Sequence, residues 1–191
     1  SIVNSKTFDT LFPPKKEVYT HVKKIVALSD IHGQYDLAVQ LLKNNKIIDQ
    51  QLNWNFGKGH LVIVGDIFDR GDKVNEMLWL VFKLEQQAEK QGGKVHFLMG
   101  NHEYMVLHND LRYVHEKYTK ACELLNLNYP ELYGKNTVLG RWLRSKHTLV
   151  KINNNVFVHG GISKEFLAHN NFDISQINNI MRQSLDRSKT E

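Results

Sequence analysis

Residues 61–71 read LVIVGDIFDRG, an apolar run that stops at a glycine and continues as a segment rich in charged residues. Four consecutive branched aliphatic residues are typical of a strand that is buried on both faces of a parallel sheet. The glycine at position 65 permits a sharp turn directly after the strand. The stretch therefore predicts an inner strand of an α/β sheet that delivers Asp66, Asp69 and Arg70 at its carboxyl end.

The same pattern occurs before and after that stretch. Residues 24–34 (KIVALSDIHGQ) and residues 95–103 (VHFLMGNHE) are also short apolar runs that end in polar turns. Apolar residues recur at helical spacing in the two intervals, over residues 34–44 and 73–91. Alternating strands and helices are typical of a parallel sheet with right-handed crossovers, so the fold class that we predict is α/β.

A second group of strands is predicted after a long helical region. Residues 148–152 and 156–158 flank three asparagines, which is typical of an antiparallel hairpin. That hairpin ends at His159, which two glycines follow. Beyond Asp173 the apolar residues again recur at helical spacing.

The composition fits a globular domain. The chain has 191 residues, of which 41% are hydrophobic and 24% are charged, and this excludes a disordered chain. No linker or repeat interrupts it, so we expect a single domain over residues 1–191 with its motifs within 25–163. The longest apolar run, Met77 to Phe82, is far shorter than the roughly 20 residues of a membrane-spanning helix. The single cysteine excludes an internal disulfide.

The charge pattern argues against a nucleic-acid partner. The net charge is +5, but the lysines and arginines are spread along the chain instead of forming a stripe with interleaved aromatic residues. The chain starts at Ser1 without an initiator methionine or an apolar signal core. The compartment stays open on this basis: cytoplasmic, or periplasmic if a signal peptide has been removed.

The polar turns at the strand ends offer ligands for divalent metals. Asp30, His32 and Asp66 supply oxygen and nitrogen donors that suit Mn, Fe or Zn, and Asn101 and His159 supply a second set. The carboxyl ends of parallel strands meet at one edge of a sheet, so we expect these side chains to converge. A bridging carboxylate at Asp66 would allow two ions to activate water and to clamp the attacking and leaving oxygens of an in-line displacement.

Each of these residues also has an ordinary structural interpretation. A single aspartate after a strand is usually a helix cap, and a single histidine is usually a satisfied polar group. Four such turns at successive strand ends favour a site over independent caps. The remaining histidines are assigned no role: His21, His60, His96, His108, His115, His147 and His169.

Taken together, residues 30–34, 65–71, 100–103 and 159–161 resemble the motifs of the calcineurin-like metallophosphoesterases, in the phosphoprotein-phosphatase branch. Within that branch, residues 137–146 look like the bacterial-type Shewanella-like protein phosphatases. Asp-x-His alone is a weak signal, but the ordered set with Asp-Arg-Gly and Asn-His-Glu is specific. The resemblance implies an α/β sandwich of two mixed sheets flanked by helices.

The resemblance also implies a ligand set for two divalent or trivalent ions, Mn, Fe or Zn. Asp30, His32 and Asp66 would hold the first ion. Asn101 and His159 would hold the second, with Asp66 bridging the two.

The remaining motif residues take catalytic roles by the same resemblance. Arg70 and Asn101 would bind the phosphate, and a metal-bound hydroxide would attack it. His102 would be the general acid that protonates the leaving oxygen, and Asp69 would fix the tautomer of that imidazole. The implied activity is a metal-dependent phosphoric monoester hydrolase that acts on phosphorylated proteins or small phosphoesters.

The chain departs from the family pattern near its end. Members of the family carry a further metal-binding histidine, a second phosphate-binding arginine and more strands after the segment that matches residues 159–161. Only residues 162–191 follow here, and His169 lies in no comparable motif. We therefore expect the chain to be incomplete at its C-terminal side.

Two other functions remain compatible with the motifs. The same segments occur in dinucleoside polyphosphate hydrolases and other phosphodiesterases, and fold alone does not separate these activities. A non-catalytic scaffold that lacks the last metal ligand is the third hypothesis, although a pure scaffold needs none of His102, Asp69 and Arg70. Between phosphotyrosine and phosphoserine or phosphothreonine, the Shewanella-like resemblance favours phosphotyrosine.

Overall fold

The computed structural model describes residues 11–170 and 172–187. The strands are β1 (Val18–Tyr19), β2 (Ile25–Leu28), β3 (His60–Val64), β4 (Lys94–Leu98), β5 (Leu149–Ile152) and β6 (Asn155–Val158). The helices are α1 (Tyr35–Asn44), α2 (Val74–Lys90), α3 (Asn101–Leu107), α4 (Glu116–Leu125), α5 (Val138–Arg144), α6 (Lys164–Asn170) and α7 (Ile174–Ser184), with a 3₁₀ helix (Tyr129–Tyr133) before α5.

The first sheet is parallel and has the strand order β2-β3-β4. Its register places Ile25 opposite His60, and His60 opposite Lys94. The middle strand, β3, is buried almost throughout, as its unbroken aliphatic run predicts. Helices α1 and α2 form the two crossovers, so the predicted strand–helix–strand–helix–strand order is confirmed. In the described part of the chain, no helix combines the length and the apolarity that crossing a membrane requires.

The second sheet is mixed and has the strand order β1-β5-β6. Strand β1 runs parallel to β5, and β5 pairs antiparallel with β6 in the predicted hairpin. Asn153 turns that hairpin with a left-handed φ of 55°, a conformation that asparagine tolerates well. The α/β class with two sheets is confirmed. The expectation that both sheets are mixed holds for this one, whereas the sheet of β2, β3 and β4 is parallel throughout in the described residues.

Two apolar layers hold the sheets in place. On one face of β3, Leu61 and Ile63 belong to the large cluster formed with the helices. On the other face, Val62 packs with Val150 and Ile152 of the second sheet. Full burial of one such side chain contributes about 1.5–3 kcal/mol. Because β3 is packed on both faces, the loop that follows it starts from a rigid support.

A pair of buried histidines lies at the start of β3 and in the middle of β4. His60 Nδ1 is 3.0 Å from His96 Nε2, and the ring of Tyr19 packs edge-on against both imidazoles. Burial, with a smaller effect of the Lys94 charge, lowers the pKa of His60 to about 4. Burial and then the charge of His60 lower the pKa of His96 to about 3. Both rings are therefore neutral near neutral pH.

These two histidines are expected to make the fold sensitive to acid. An unfolded histidine has a pKa of about 6.5, so below that pH the unfolded chain binds more protons than the folded one. The free energy of unfolding should be constant above about pH 7.5 and should fall by about 3 kcal/mol between about pH 6.5 and about pH 5. Urea unfolding of the chain and of a His60→Asn/His96→Asn variant at several pH values measures this difference. An equal pH dependence in both proteins would contradict it.

Candidate metal centre

The loops that follow four strands meet at one edge of the molecule. The loop after β2 contributes Asp30 and His32, and the loop after β3 contributes Asp66, Asp69 and Arg70. The start of α3 contributes Asn101 and His102, and the turn after β6 contributes His159. The hydrogen bonds from His32 N to Asp66 O and from Gly33 N to Ile67 O, each 2.9 Å long, join the first two loops. The predicted residues gathered here are Asp30, His32, Asp66, Asp69, Arg70, Asn101, His102 and His159.

Asp66 is the centre of this cluster. Its Oδ2 atom lies 3.8 Å from His32 Nε2, 3.4 Å from His159 Nε2 and 4.0 Å from His102 Nε2. The donor atoms of His32, Asp66 and His102 lie within 4.8 Å of one another, and so do those of Asp30, Asp66 and His159. Two groups of potential ligands that share one carboxylate fit a pair of divalent ions, because imidazole and carboxylate are the ligands that Mn, Fe and Zn use.

The two groups divide the ligands differently from the predicted sets. Asp30 groups with His159, and His32 groups with His102, around the shared Asp66. The prediction placed Asp30 with His32, and these side chains are also close, with Nε2 and Oδ1 3.8 Å apart. The assignment of each ligand to one ion stays a prediction. None of the other histidines whose side chains the structure describes joins either group, and the side chain of His169 lies outside the described residues.

Backbone carbonyls orient two of the imidazoles. His32 Nδ1 is 2.6 Å from the carbonyl oxygen of Phe68, and His159 Nδ1 is 2.8 Å from that of Val64. A carbonyl oxygen only accepts, so Nδ1 carries the proton in both rings and donates it there. Each Nε2 is then unprotonated and available to a metal, and lies 3.4–3.8 Å from Asp66 Oδ2. This is the usual outer support of a metal-binding histidine.

His102 is held by an aspartate in the same way. Its Nδ1 lies 3.0 Å from Asp69 Oδ2, and both side chains are buried. Its backbone N–H donates to Asp66 Oδ1 over 3.1 Å. Burial raises the pKa of Asp69, and the hydrogen bond from His102 opposes that shift. Asp69 thus keeps the proton of His102 on Nδ1 in the neutral ring, while Nε2 faces the metal ligands.

Four site residues have left-handed backbone. The φ angles are 54° at Asp30, 45° at His32, 56° at Asp66 and 65° at Arg70. This conformation costs a non-glycine residue about 1–2 kcal/mol, so the surrounding packing has to impose it. Such strain is concentrated at functional sites, and here it aims successive side chains of short loops at one point.

The glycines of the motifs allow the loops to approach. A Cβ atom on Gly33 would lie 2.7 Å from the carbonyl carbon of Gly71, closer than any side chain tolerates, and Gly33 also has a φ of 69°. The N–H of Gly71 donates to the carbonyl of His32 over 2.9 Å. The backbones of the loops after β2 and β3 are therefore in direct contact.

Glu103 is a site residue to which the sequence analysis assigned no role. It is 1% exposed. Its Oε2 accepts from the N–H groups of Asp66 and Gly100, and its Oε1 accepts from those of Ile67 and Phe68. Burial, and then the charge of Asp66, raise the pKa of Glu103 to about 7, against the effect of the N–H donors. Its position three residues after Gly100 is the capping-box spacing, which is the signal that could have identified it.

Glu103→Gln is expected to destabilise the fold by about 2–4 kcal/mol. One carboxylate oxygen, which accepts from two backbone N–H groups, becomes an NH₂ group that can only donate, and buried donors are left without partners. Urea unfolding measures the loss, with Glu116→Gln on the exposed face of α4 as the control. A difference of less than about 0.5 kcal/mol, the range of ordinary surface substitutions, would show that the carboxylate does not join the loops.

Tyr113 is the second residue that the sequence analysis missed. Its carbonyl accepts from the N–H of Arg70 over 2.8 Å, and its ring lies 5.5 Å from the Arg70 guanidinium. The same ring lies 5.3 Å from the imidazole of His102, measured between centroids. Tyr113 is 44% exposed and lies in an irregular segment between α3 and α4. No periodic or motif signal marks such a residue, because its contacts are set by tertiary structure alone.

The fold and the shared-carboxylate cluster at the ends of the strands fit the metallophosphoesterase class. The family model of the calcineurin-like phosphoesterases matches residues 23–190, and the chain belongs to this family. The resemblance seen in the motifs is thereby confirmed. Family membership implies divalent metal ions, and the donors around Asp66 fit them.

Two curated relatives are Shewanella-like protein phosphatases. Shewanella-like protein phosphatase 1 of Plasmodium berghei is 30% identical, over 85% of this chain and 45% of the relative. Shewanella-like protein phosphatase 2 of Arabidopsis thaliana is 25% identical, over 84% of this chain and 51% of the relative. The chain thus spans about half the length of the relatives that it matches. The single domain over residues 1–191 stays a prediction.

A solved structure shares both the fold and much of the sequence. The cold-active protein-tyrosine phosphatase of a psychrophilic Shewanella species superposes with a TM-score of 0.91 at 52% identity, over 93% of this chain and 54% of that one. A protein serine/threonine phosphatase of Saccharomyces cerevisiae superposes with a TM-score of 0.56 at 18% identity, which shows a common fold only.

Proposed function

We propose that this chain carries the active site of a protein phosphatase that hydrolyses phosphomonoesters. The observation that carries the proposal is the position of Asp66, whose Oδ2 lies 3.8 Å from His32 Nε2, 3.4 Å from His159 Nε2 and 4.0 Å from His102 Nε2. A structural ion pair needs no such convergence of three imidazoles on one carboxylate. The names of the relatives and of the solved structure support a phosphatase.

Asp30, His32, Asp66, Asn101 and His159 would hold two ions, Mn, Fe or Zn. Asn101 belongs to this set because its Oδ1 lies 2.9 Å from His159 Nε2. When bound, the ions would neutralise phosphate charge and lower the pKa of a water molecule, which supplies the nucleophile at neutral pH.

The protein's own side chains would supply phosphate binding and proton transfer. Arg70 and Asn101 would bind the phosphate oxygens, with the guanidinium held against Tyr113. A protonated His102 would donate from Nε2 to the leaving oxygen. Asp69 would accept the hydrogen bond from Nδ1 and stabilise the imidazolium before the transfer. The burial of this pair excludes water from the proton path.

The substrate that we propose is a phosphotyrosine side chain of a protein. Support comes from the 52% identity with a protein named a tyrosine phosphatase. The comparisons do not favour a dinucleoside polyphosphate hydrolase. A non-catalytic scaffold is not favoured either, because the hydrogen bond between His102 and Asp69 would have no purpose in it.

The test is a comparison of substrates in the presence of Mn²⁺. Turnover of a phosphotyrosine peptide is measured against the same peptide with phosphoserine and against diadenosine tetraphosphate, with His102→Asn as the control for contaminating phosphatase. We expect the phosphotyrosine peptide to be hydrolysed at least about tenfold faster than the phosphoserine peptide. This factor corresponds to a difference of about 1.4 kcal/mol in transition-state binding. Equal rates on the two peptides would overturn the tyrosine preference. Faster turnover of the dinucleotide would overturn the phosphatase.

A further inference from the structure

A cavity of about 920 Å³ lies at the opposite end of the parallel sheet from the metal centre. Its walls come from the connection between β1 and β2, from the end of α1 and from the loop before β3. His60, the first residue of β3, lines it, and Asp66 lies two residues beyond Val64, the last residue of that strand. Six residues at about 3.3 Å per residue separate the two sites by about 20 Å.

The cavity is lined by cations and by no anion. Lys23, Lys24, Lys46 and Lys58 line it, and no aspartate or glutamate does. None of these four lysines forms an ion pair in the described part of the chain. Seven of the thirteen described lysines outside the cavity are paired with carboxylates: Lys15, Lys73, Lys94, Lys117, Lys120, Lys135 and Lys146. Cations from three separate segments that face one volume repel each other until an anion enters.

The inner wall of the cavity includes the imidazole of His60. His60 is 5% exposed, and its Nδ1 lies within hydrogen-bond distance, 3.0 Å, of His96 Nε2. Its Nε2 has no hydrogen-bond partner among the residues that the structure describes. When Nδ1 accepts from His96, Nε2 carries the proton and is a donor. Phe56 and Tyr19 also line the cavity and add an aromatic wall.

We propose that this basic cavity binds an acidic peptide segment whose carboxylate or phosphate side chains face the lysines. Because the four lysines belong to three separate chain segments, they suit several separated negative charges better than a single one. A volume of this size is within the usual range for a ligand site, about 300–1,000 Å³. The aromatic wall accepts an apolar side chain between the charges. Nothing in this binding requires the metal centre.

The first experiment uses octaglutamate as the probe and the Mn²⁺-loaded chain in low salt. Calorimetry should show one peptide bound per chain, with affinity that falls as salt is added, because exposed charges are screened. Lys23→Glu/Lys58→Glu should weaken binding by about tenfold or more. The matched control, Lys120→Glu/Lys135→Glu, makes the same change of net charge outside the cavity and should bind as the unmodified chain does. Equal weakening in both variants would overturn the proposal, because it would show a non-specific charge effect.

The second experiment locates the peptide. Nitrogen NMR of the imidazoles should show the Nε2 signal of His60 shifting on addition of octaglutamate, while the His102 signals do not move. Turnover of p-nitrophenyl phosphate should be the same in the Lys23→Glu/Lys58→Glu variant as in the unmodified chain. The proposal would be overturned if octaglutamate competed with p-nitrophenyl phosphate. It would also be overturned if tripolyphosphate, tested as a second probe, shifted the His60 signal while octaglutamate did not bind. This result is separable from a failure of the phosphatase, because the NMR shift needs no turnover.

Discussion

Asp66→Asn is expected to abolish measurable turnover of p-nitrophenyl phosphate, with a loss of about 10³-fold or more. The substitution turns one of the two carboxylate oxygens into an NH₂ group, which cannot ligate a cation. Asp66 belongs to both groups of potential ligands, and we propose that it binds both ions, so both ions lose a ligand at once. A metal pair contributes several kcal/mol to the transition state, and about 4 kcal/mol corresponds to the stated loss.

Metal content and folding distinguish this effect from simple damage. Atomic emission spectrometry should find less metal per chain in the variant, and its urea unfolding in metal-free buffer should stay close to that of the unmodified chain. Asp72→Asn is the matched control, since Asp72 lies in the same loop and is exposed. Full turnover in the Asp66→Asn variant would contradict the role of Asp66 as the shared ligand.

His102→Asn is expected to lower turnover by about 10²–10⁴-fold, the usual contribution of a general acid. The metal content should not change in the same proportion, and this separates the variant from Asp66→Asn. The loss should be larger on phosphotyrosine than on p-nitrophenyl phosphate. The tyrosine oxygen, with a pKa near 10, needs the proton more than the more acidic nitrophenol does.

A histidine of the same chain provides the control for this series. His115→Asn replaces the N-cap of α4, where the side chain accepts from the N–H of Lys117. Asparagine is a good N-cap, so stability and turnover should both be preserved. If His102→Asn lowered the rate on both substrates by the same factor, the assignment of His102 as the acid for the leaving oxygen would be wrong.

The sequence is a good guide wherever short-range pattern and chain direction decide the geometry. The aliphatic run before Gly65 and the two similar runs specify three parallel strands, and parallel strands bring their carboxyl ends to one edge. That single rule is enough to place Asp30, Asp66 and Asn101 together. The hairpin around Asn153 follows from turn chemistry in the same way.

The sequence is a poor guide where only tertiary contacts decide. Strand β1 has two residues, too few to show a period, and exists because β5 lies beside it. The position of Tyr113 beside Arg70 depends on the path of an irregular segment. The grouping of ligands around Asp66 depends on side-chain rotamers, which a motif does not encode.

The left-handed backbone at Asp30, His32, Asp66 and Arg70 has a consequence for how mutational scans of this family are interpreted. At these four positions alanine or a β-branched residue would remove a functional group and would also disfavour the left-handed φ. The measured loss of activity would then combine the chemical effect with the conformational effect. Asparagine, and to a lesser degree aspartate, enters the left-handed region easily. An asparagine scan would therefore report chemistry alone, and its difference from a valine scan would report the strain held in each loop.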